Sequence, residues 1–166
     1  MIISRTPFRV SFFGGGTDYP EWYLKEGGSV LSTTIDKYLY ITVRHLPPFF
    51  EHRHRIVWSR VETPDTFSEI EHPCIREGLR HLGFDEKGGL DLHYQADLPA
   101  RSGMGSSSAF AAGLINALTA LKGEIIGKQD LAKAAIELEQ TVLNEAVGSQ
   151  DQTASVYGGF NRIDFL

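Results

Sequence analysis

Two carboxylates and a run of hydroxyls stand out in the second half of this 166-residue chain as groups that could do chemistry. The stretch LPARSGMGSSSAF, residues 98–110, places two glycines and four serines between a proline and an apolar run. Gly103 and Gly105 permit a tight loop whose amides point inward, and Ser106 or Ser107 can start the helix that follows. A helix start offers unpaired N–H donors and the positive end of the macrodipole, so phosphate is a natural ligand there. The loop is not of the Walker type, since no Gly-Lys-Ser/Thr follows the glycines, and it lacks the GxGxxG spacing of dinucleotide folds. Taken alone, it suits a serine-capped helix after a flexible turn equally well.

Glu139 shares a helical stripe with Ala135 and Val142, so its carboxylate borders an otherwise apolar face. A serine hydroxyl and a carboxylate around a nucleotide are hard oxygen donors of the kind Mg²⁺ takes, with waters and phosphate oxygens completing the shell. The alternative for Glu139 is an exposed acid at the helix edge. Asp151 sits between glutamines in VGSQDQTASVYGG, residues 147–159, where an isolated aspartate also serves as a turn or cap residue.

The elements that must position these groups divide at about residue 100. Residues 2–13 mix β-branched and aromatic side chains and stop at Gly14-Gly15-Gly16, which predicts a strand running into a turn. A short helix over Glu21–Glu26 is followed by strands over Ser29–Thr34 and Tyr38–Arg44 with a turn at Asp36-Lys37. Arg55–Val61 and Gly89–Gln95 read as further strands, and Glu69–Leu82 as a helix closed at Gly83. Phe110, Ala111, Leu114, Ile115, Leu118 and Leu121 then recur at helical spacing. Asp130 is placed to cap a second helix with Leu131, Ala134, Ala135, Leu138 and Val142 on its apolar stripe. Gly148–Tyr157 reads as a short third helix and Phe160–Leu166 as a strand, so the class is α+β.

Composition narrows the partners. A formal net charge of −5 argues against a broad basic face for nucleic acid or anionic lipid, while leaving room for a local anion pocket. The amino terminus has no signal-peptide pattern and no run of about 20 apolar residues is present, so a cytoplasmic protein is expected. The single cysteine, Cys74, excludes an internal disulfide and reads as an inert thiol. His45, His52 and His54, near Arg53 and Arg55, lack the carboxylate or cysteine support of a metal site and read as a solvated loop, or more weakly as a phosphate contact. Trp58 reads as a core aromatic, with adenine stacking as its functional alternative.

Together, TPFRVSFFGGGTDYP, LPARSGMGSSSAF and VGSQDQTASVYGG resemble three motifs of the GHMP small-molecule kinases, in the right order. The resemblance covers almost the whole chain but only the family's amino-terminal lobe, which implies a fold like the second domain of ribosomal protein S5. The carboxy-terminal lobe, expected to complete the site, is absent from these 166 residues. By the same resemblance, Pro99, Ser102, Gly103, Met104, Gly105, Ser106, Ser107 and Ser108 form the ATP-binding loop. Ser107 is the better match to the magnesium-coordinating serine and Ser108 the alternative. Glu139, twelve residues before Asp151, matches the magnesium glutamate, and Asp151 matches the catalytic aspartate that takes or orients the proton of the attacking hydroxyl. Arg9 matches the basic residue close to that aspartate, which stabilises charge on the moving phosphoryl group.

Gly15, Gly16, Thr17 and Asp18 match the sugar-binding turn, with Asp18 accepting hydrogen bonds from substrate hydroxyls. Galactokinases carry Glu-His before Thr-Asp-Tyr, where this chain has Gly15-Gly16. The small residues leave space for a larger, already phosphorylated sugar and resemble the branch acting on D-glycero-D-manno-heptose 7-phosphate. Fucokinase-like domains share part of the pattern.

Overall fold

The computed structural model describes residues 1–100 and 102–166. Strand β1 (Ile2–Phe13) runs antiparallel to the 18-residue β2 (Gly28–His45), and helix α1 (Pro20–Glu26) fills the connection. After the short hairpin of β3 (His54–Val57) and β4 (Val61–Glu62) come α2 (Pro73–His81) and β5 (Leu90–Ala96). Helices α3 (Ser106–Leu121), α4 (Lys128–Glu137) and α5 (Gln150–Tyr157) follow, with a π-helical turn over Leu138–Val142, and β6 (Phe160–Phe165) closes the chain. The sheet order is β1-β2-β5-β3-β4, with β6 paired to β2. Among the described residues all pairings are antiparallel except β3 with β5.

One face of this sheet is covered. Ser4, Thr6 and Phe8 of β1 and Leu39, Ile41 and Val43 of β2 alternate into the interior, as the period of a strand requires. They meet α3, whose buried residues run from Ser108 to Thr119. Gly113 lets the helix approach closely: a Cβ there would lie 2.7 Å from the Thr6 hydroxyl, and Ser4 donates to the Gly113 carbonyl at 2.9 Å.

Several expected boundaries move. Asp36-Lys37 is not a turn, because β1 pairs with β2 on both sides of it (Pro7 with Tyr38, Arg9 with Thr34), making one irregular strand. The first half of β2 also pairs with β6 and the second half with β5. The strand expected over Arg55–Val61 folds back on itself after Val57. Helix α2 begins at Pro73, whose missing N–H suits a first helical position, and a separate 3₁₀ turn covers Phe67–Glu69. Asp130 lies inside the first turn of α4, which starts after Gly127 without a side-chain cap. His54 is fully buried against Phe67 rather than in a solvated loop, and burial, with Arg53 adding, holds it below the ordinary histidine range.

Candidate active site

The glycine and serine stretch becomes a loop leading into α3. Gly103 and Gly105 have φ of 75° and 72°, the left-handed region that disfavours other residues. Gly105 itself occupies the position before the first helical turn, with no side-chain cap, so a serine does not cap α3. Ser107 is exposed on the first turn, Ser108 is buried and Pro99 is exposed. Ser102, Gly103 and Met104 line an open cleft of about 470 Å³, which Arg9, Phe12, Phe13, Gly14, Gly15 and Gln150 help to complete.

Arg9 ties this loop to the opposite wall. Its backbone N–H donates to the Met104 carbonyl at 3.2 Å, and its Nη1 donates to the Gly103 carbonyl at 3.0 Å. The rest of the guanidinium grips Asp151 in a fork, with Nε to Oδ1 and Nη2 to Oδ2 both at 2.6 Å. Such a pair fixes both planes and is charge-assisted at each contact. Its side chains are 12% and 24% exposed, so the pair lies outside the core, and Arg9 lines the cleft. A Cβ on Gly105 would lie 3.2 Å from Arg9 Cγ and 3.3 Å from Asp151 Oδ2, so glycine here leaves room for the pair.

Glu139 is wholly buried, not an exposed edge acid. It lies in the π-helical turn that interrupts the end of α4, where Leu143 N–H donates to the Leu138 carbonyl at 2.9 Å. Ser107 donates to its Oε1 at 2.7 Å and the Gln152 side-chain amide to its Oε2 at 2.6 Å. Burial pushes its carboxyl above the ordinary range, against the opposing pull of Ser108, Ser107 and Gln152, and the nearby Glu145 adds to the rise. No cationic side chain lies within 4.0 Å of it among the described residues.

The glycine turn after β1 is shaped by its own constraints. Gly14 has a φ of 86°, and a Cβ there would meet the Ser29 carbonyl oxygen at 1.9 Å. Thr17 closes the turn by donating its hydroxyl to the Gly14 carbonyl at 2.8 Å. Asp18, expected to contact sugar, is 1% exposed and faces inward. Its Oδ1 accepts the Gly16 amide at 3.0 Å and its Oδ2 accepts the Gln150 amide at 3.2 Å. It therefore binds the turn to the first residue of α5, the helix that carries Asp151. Gly15 lines the cleft, while Gly16, with a φ of 94°, has open space where a Cβ would stand.

Two participants escape a reading by residue type. Gln150 lines the cleft and accepts from the Ser11 hydroxyl at 2.8 Å, and Gln152 holds Glu139. Their flanking of Asp151 was the available signal. Trp58 is half-buried, with its ring edge-on to His72 at 5.1 Å and its N–H donated to Glu62. Among the described residues no group of three or more His, Cys, Asp or Glu could hold a metal, and no helix is long and apolar enough to cross a membrane. Burial raises the Cys74 thiol well above its ordinary range.

The α+β fold of this chain is shared by solved kinase structures. The chain belongs to the GHMP kinases, and the model of their N-terminal domain matches residues 70–159. It is 32% identical to the D-glycero-alpha-D-manno-heptose 7-phosphate kinase of Campylobacter jejuni subsp. jejuni serotype O:2 over 185 residues, covering 99% of this chain and 50% of that protein. It is 26% identical to the bifunctional fucokinase/GDP-fucose pyrophosphorylase of Arabidopsis thaliana, covering 92% of this chain and 16% of that one. The crystal structure of a D-glycero-D-manno-heptose 1-phosphate kinase from Bacteroides thetaiotaomicron superposes with a TM-score of 0.87 at 26% identity, over 100% of this chain and 56% of that chain. The chain thus spans about half the length of the heptose kinases it matches, or less of longer relatives.

Proposed function

We propose that residues 1–166 form the amino-terminal, ATP- and sugar-binding domain of a cytoplasmic sugar kinase. The reaction is transfer of the γ-phosphoryl group of ATP to the anomeric hydroxyl of D-glycero-D-manno-heptose 7-phosphate, giving the 1,7-bisphosphate. The observation that carries this reading is the Arg9–Asp151 fork beside a cleft walled by both glycine loops. In this reading the fork sets a carboxylate and a fixed cation beside the acceptor hydroxyl and a phosphate held at the α3 entrance. The heptose 7-phosphate kinase relative favours this acceptor, and the heptose 1-phosphate kinase structure favours a heptose phosphate as the substrate class.

In this reading the amides of the Gly103–Ser107 loop hold the triphosphate, using the free donors of a helix start. Asp151 takes, or orients, the proton of the attacking hydroxyl, and Arg9 steadies that carboxylate and the charge moving onto the phosphoryl oxygens. Catalysis is positioning and electrostatics, as suits a loose transition state. Gly15 keeps the sugar end of the cleft open, and Thr17 and Asp18 hold the turn in shape.

The residues fit Mg²⁺: a buried carboxylate with no cation partner among the described residues faces a hydroxyl 2.7 Å away, both hard oxygen donors. Ser107 and Glu139 would hold the ion, which when bound neutralises phosphate charge. Ser108, enclosed beneath them, is the lesser candidate.

A panel of heptose 7-phosphate, fucose, galactose and homoserine, assayed with ATP and Mg²⁺, tests the reading. It should be run on this chain and on the protein extended to the length of its relatives. Transfer to the heptose in the extended protein is expected. Absence of transfer to any of the four would overturn it in favour of a non-catalytic binding module, and preference for fucose would overturn the substrate.

A further inference from the structure

The two oxygens of Glu139 have different neighbours. Oε1 accepts from Ser107 on the first turn of α3, while Oε2 accepts from Gln152 at 2.6 Å inside the protein. Gln152 is fully buried, and its own Oε1 has no hydrogen-bond partner among the described residues. An ionised carboxylate only accepts, so the nitrogen end of the amide must face Glu139. That orientation leaves a buried carbonyl without a partner among the described residues, at a cost in desolvation. The fold keeps it nonetheless. Gln152 also directly follows Asp151, about 100° around the helix, so a single turn of α5 presents one side chain to Arg9 and the next to Glu139.

We infer that Gln152 is the positioning residue of Glu139: by occupying Oε2 it turns Oε1 and the Ser107 hydroxyl together toward the phosphate loop, as a prepared pair for a divalent cation. The inference rests on the metal reading proposed above. The terminal torsion of a glutamate is broad and soft, so without a second anchor the carboxylate plane is free to rotate away from Ser107. Donors behind a metal ligand commonly change metal affinity by roughly 10- to 100-fold.

Mn²⁺ titration of the chain, followed by electron paramagnetic resonance in the presence of the β,γ-imido analogue of ATP, tests this. Gln152→Met keeps the length and removes the donor. It is expected to raise the half-saturating Mn²⁺ concentration by roughly 10- to 100-fold, with full occupancy recovered at excess Mn²⁺ and metal-free affinity for the analogue unchanged. Should the methionine variant fail to fold, Gln152→Asn keeps the amide but withdraws it by one methylene, and the same loss is expected. Glu139→Gln is the reference for abolished binding. If wild type binds Mn²⁺, Glu139→Gln does not, and a folded Gln152 variant titrates like wild type, the positioning role is overturned while the metal reading stands. If wild type and Glu139→Gln titrate alike, the metal reading falls and the inference falls with it.

Discussion

Asp18→Asn separates two jobs that one aspartate could have at this place. The structure gives Asp18 a buried carboxylate with two backbone N–H donors, Gly16 at 3.0 Å and Gln150 at 3.2 Å. Its backbone carbonyl also accepts from Ser149 at 3.0 Å. Asparagine keeps the shape but replaces one acceptor oxygen by an NH₂ group, which opposes an N–H donor. One bond is lost and the other loses its charge assistance. Hydrogen bonds to charged groups contribute about 1.5–3 kcal/mol each, so the expected loss is about 2–4 kcal/mol. For a domain of this size each kcal/mol moves the melting temperature by roughly 2–4 °C, so a fall of roughly 4–16 °C is expected. Thermal melts of wild type and variant, followed by circular dichroism, measure it. Gly148→Ala should behave similarly, because its Cβ would stand 1.8 Å from Asp18 Oδ2. An Asp18→Asn chain that melts with wild type, in an extended protein with a raised KM for sugar, would refute the structural role and return Asp18 to the sugar site.

Two further outcomes follow from burial and backbone. Glu139→Gln should stabilise the metal-free chain at pH 7.5 while removing metal binding, because burial raises the folded-state pKa above its ordinary value of 4.5 and so disfavours the ionised fold. The gain is full above the folded-state pKa and vanishes as pH falls below the unfolded value, so equal gains at low and neutral pH would contradict it. Gly14→Ala should prevent folding or lower the melting temperature far more than Gly16→Ala. The first meets a backbone oxygen at 1.9 Å, whereas the second has open space and bears only the roughly 1–2 kcal/mol of a left-handed residue. Equal melts for the two would sink that argument.

Much of this was legible from local pattern. The period of residues 110–121 marks α3, the β-branched run marks β1, and three motifs point to the family. What escaped depended on partners distant in sequence. Asp36-Lys37 has the composition of a turn, but pairing with β1 on both sides keeps β2 continuous. Its stripe puts Glu139 at the border of an apolar face with an exposed edge acid as the alternative; the full burial comes from α3 and α5 closing over it, which helical spacing within its own segment does not reveal. Asp18 was recognised as a motif residue, yet its partners at Gly16 and Gln150 lie 2 and 132 positions away, and only the fold brings both to one carboxylate.

Asp151 is the group proposed to take or orient the acceptor proton, and one rate comparison tests that role directly. Phosphoryl transfer from ATP to D-glycero-D-manno-heptose 7-phosphate should be measured for wild type and Asp151→Asn in the protein extended to the length of its relatives. Turnover is expected to fall by roughly 10²- to 10⁴-fold, the contribution of a positioned acid or base. An Asp151→Asn protein that turns over at the wild-type rate would contradict that role.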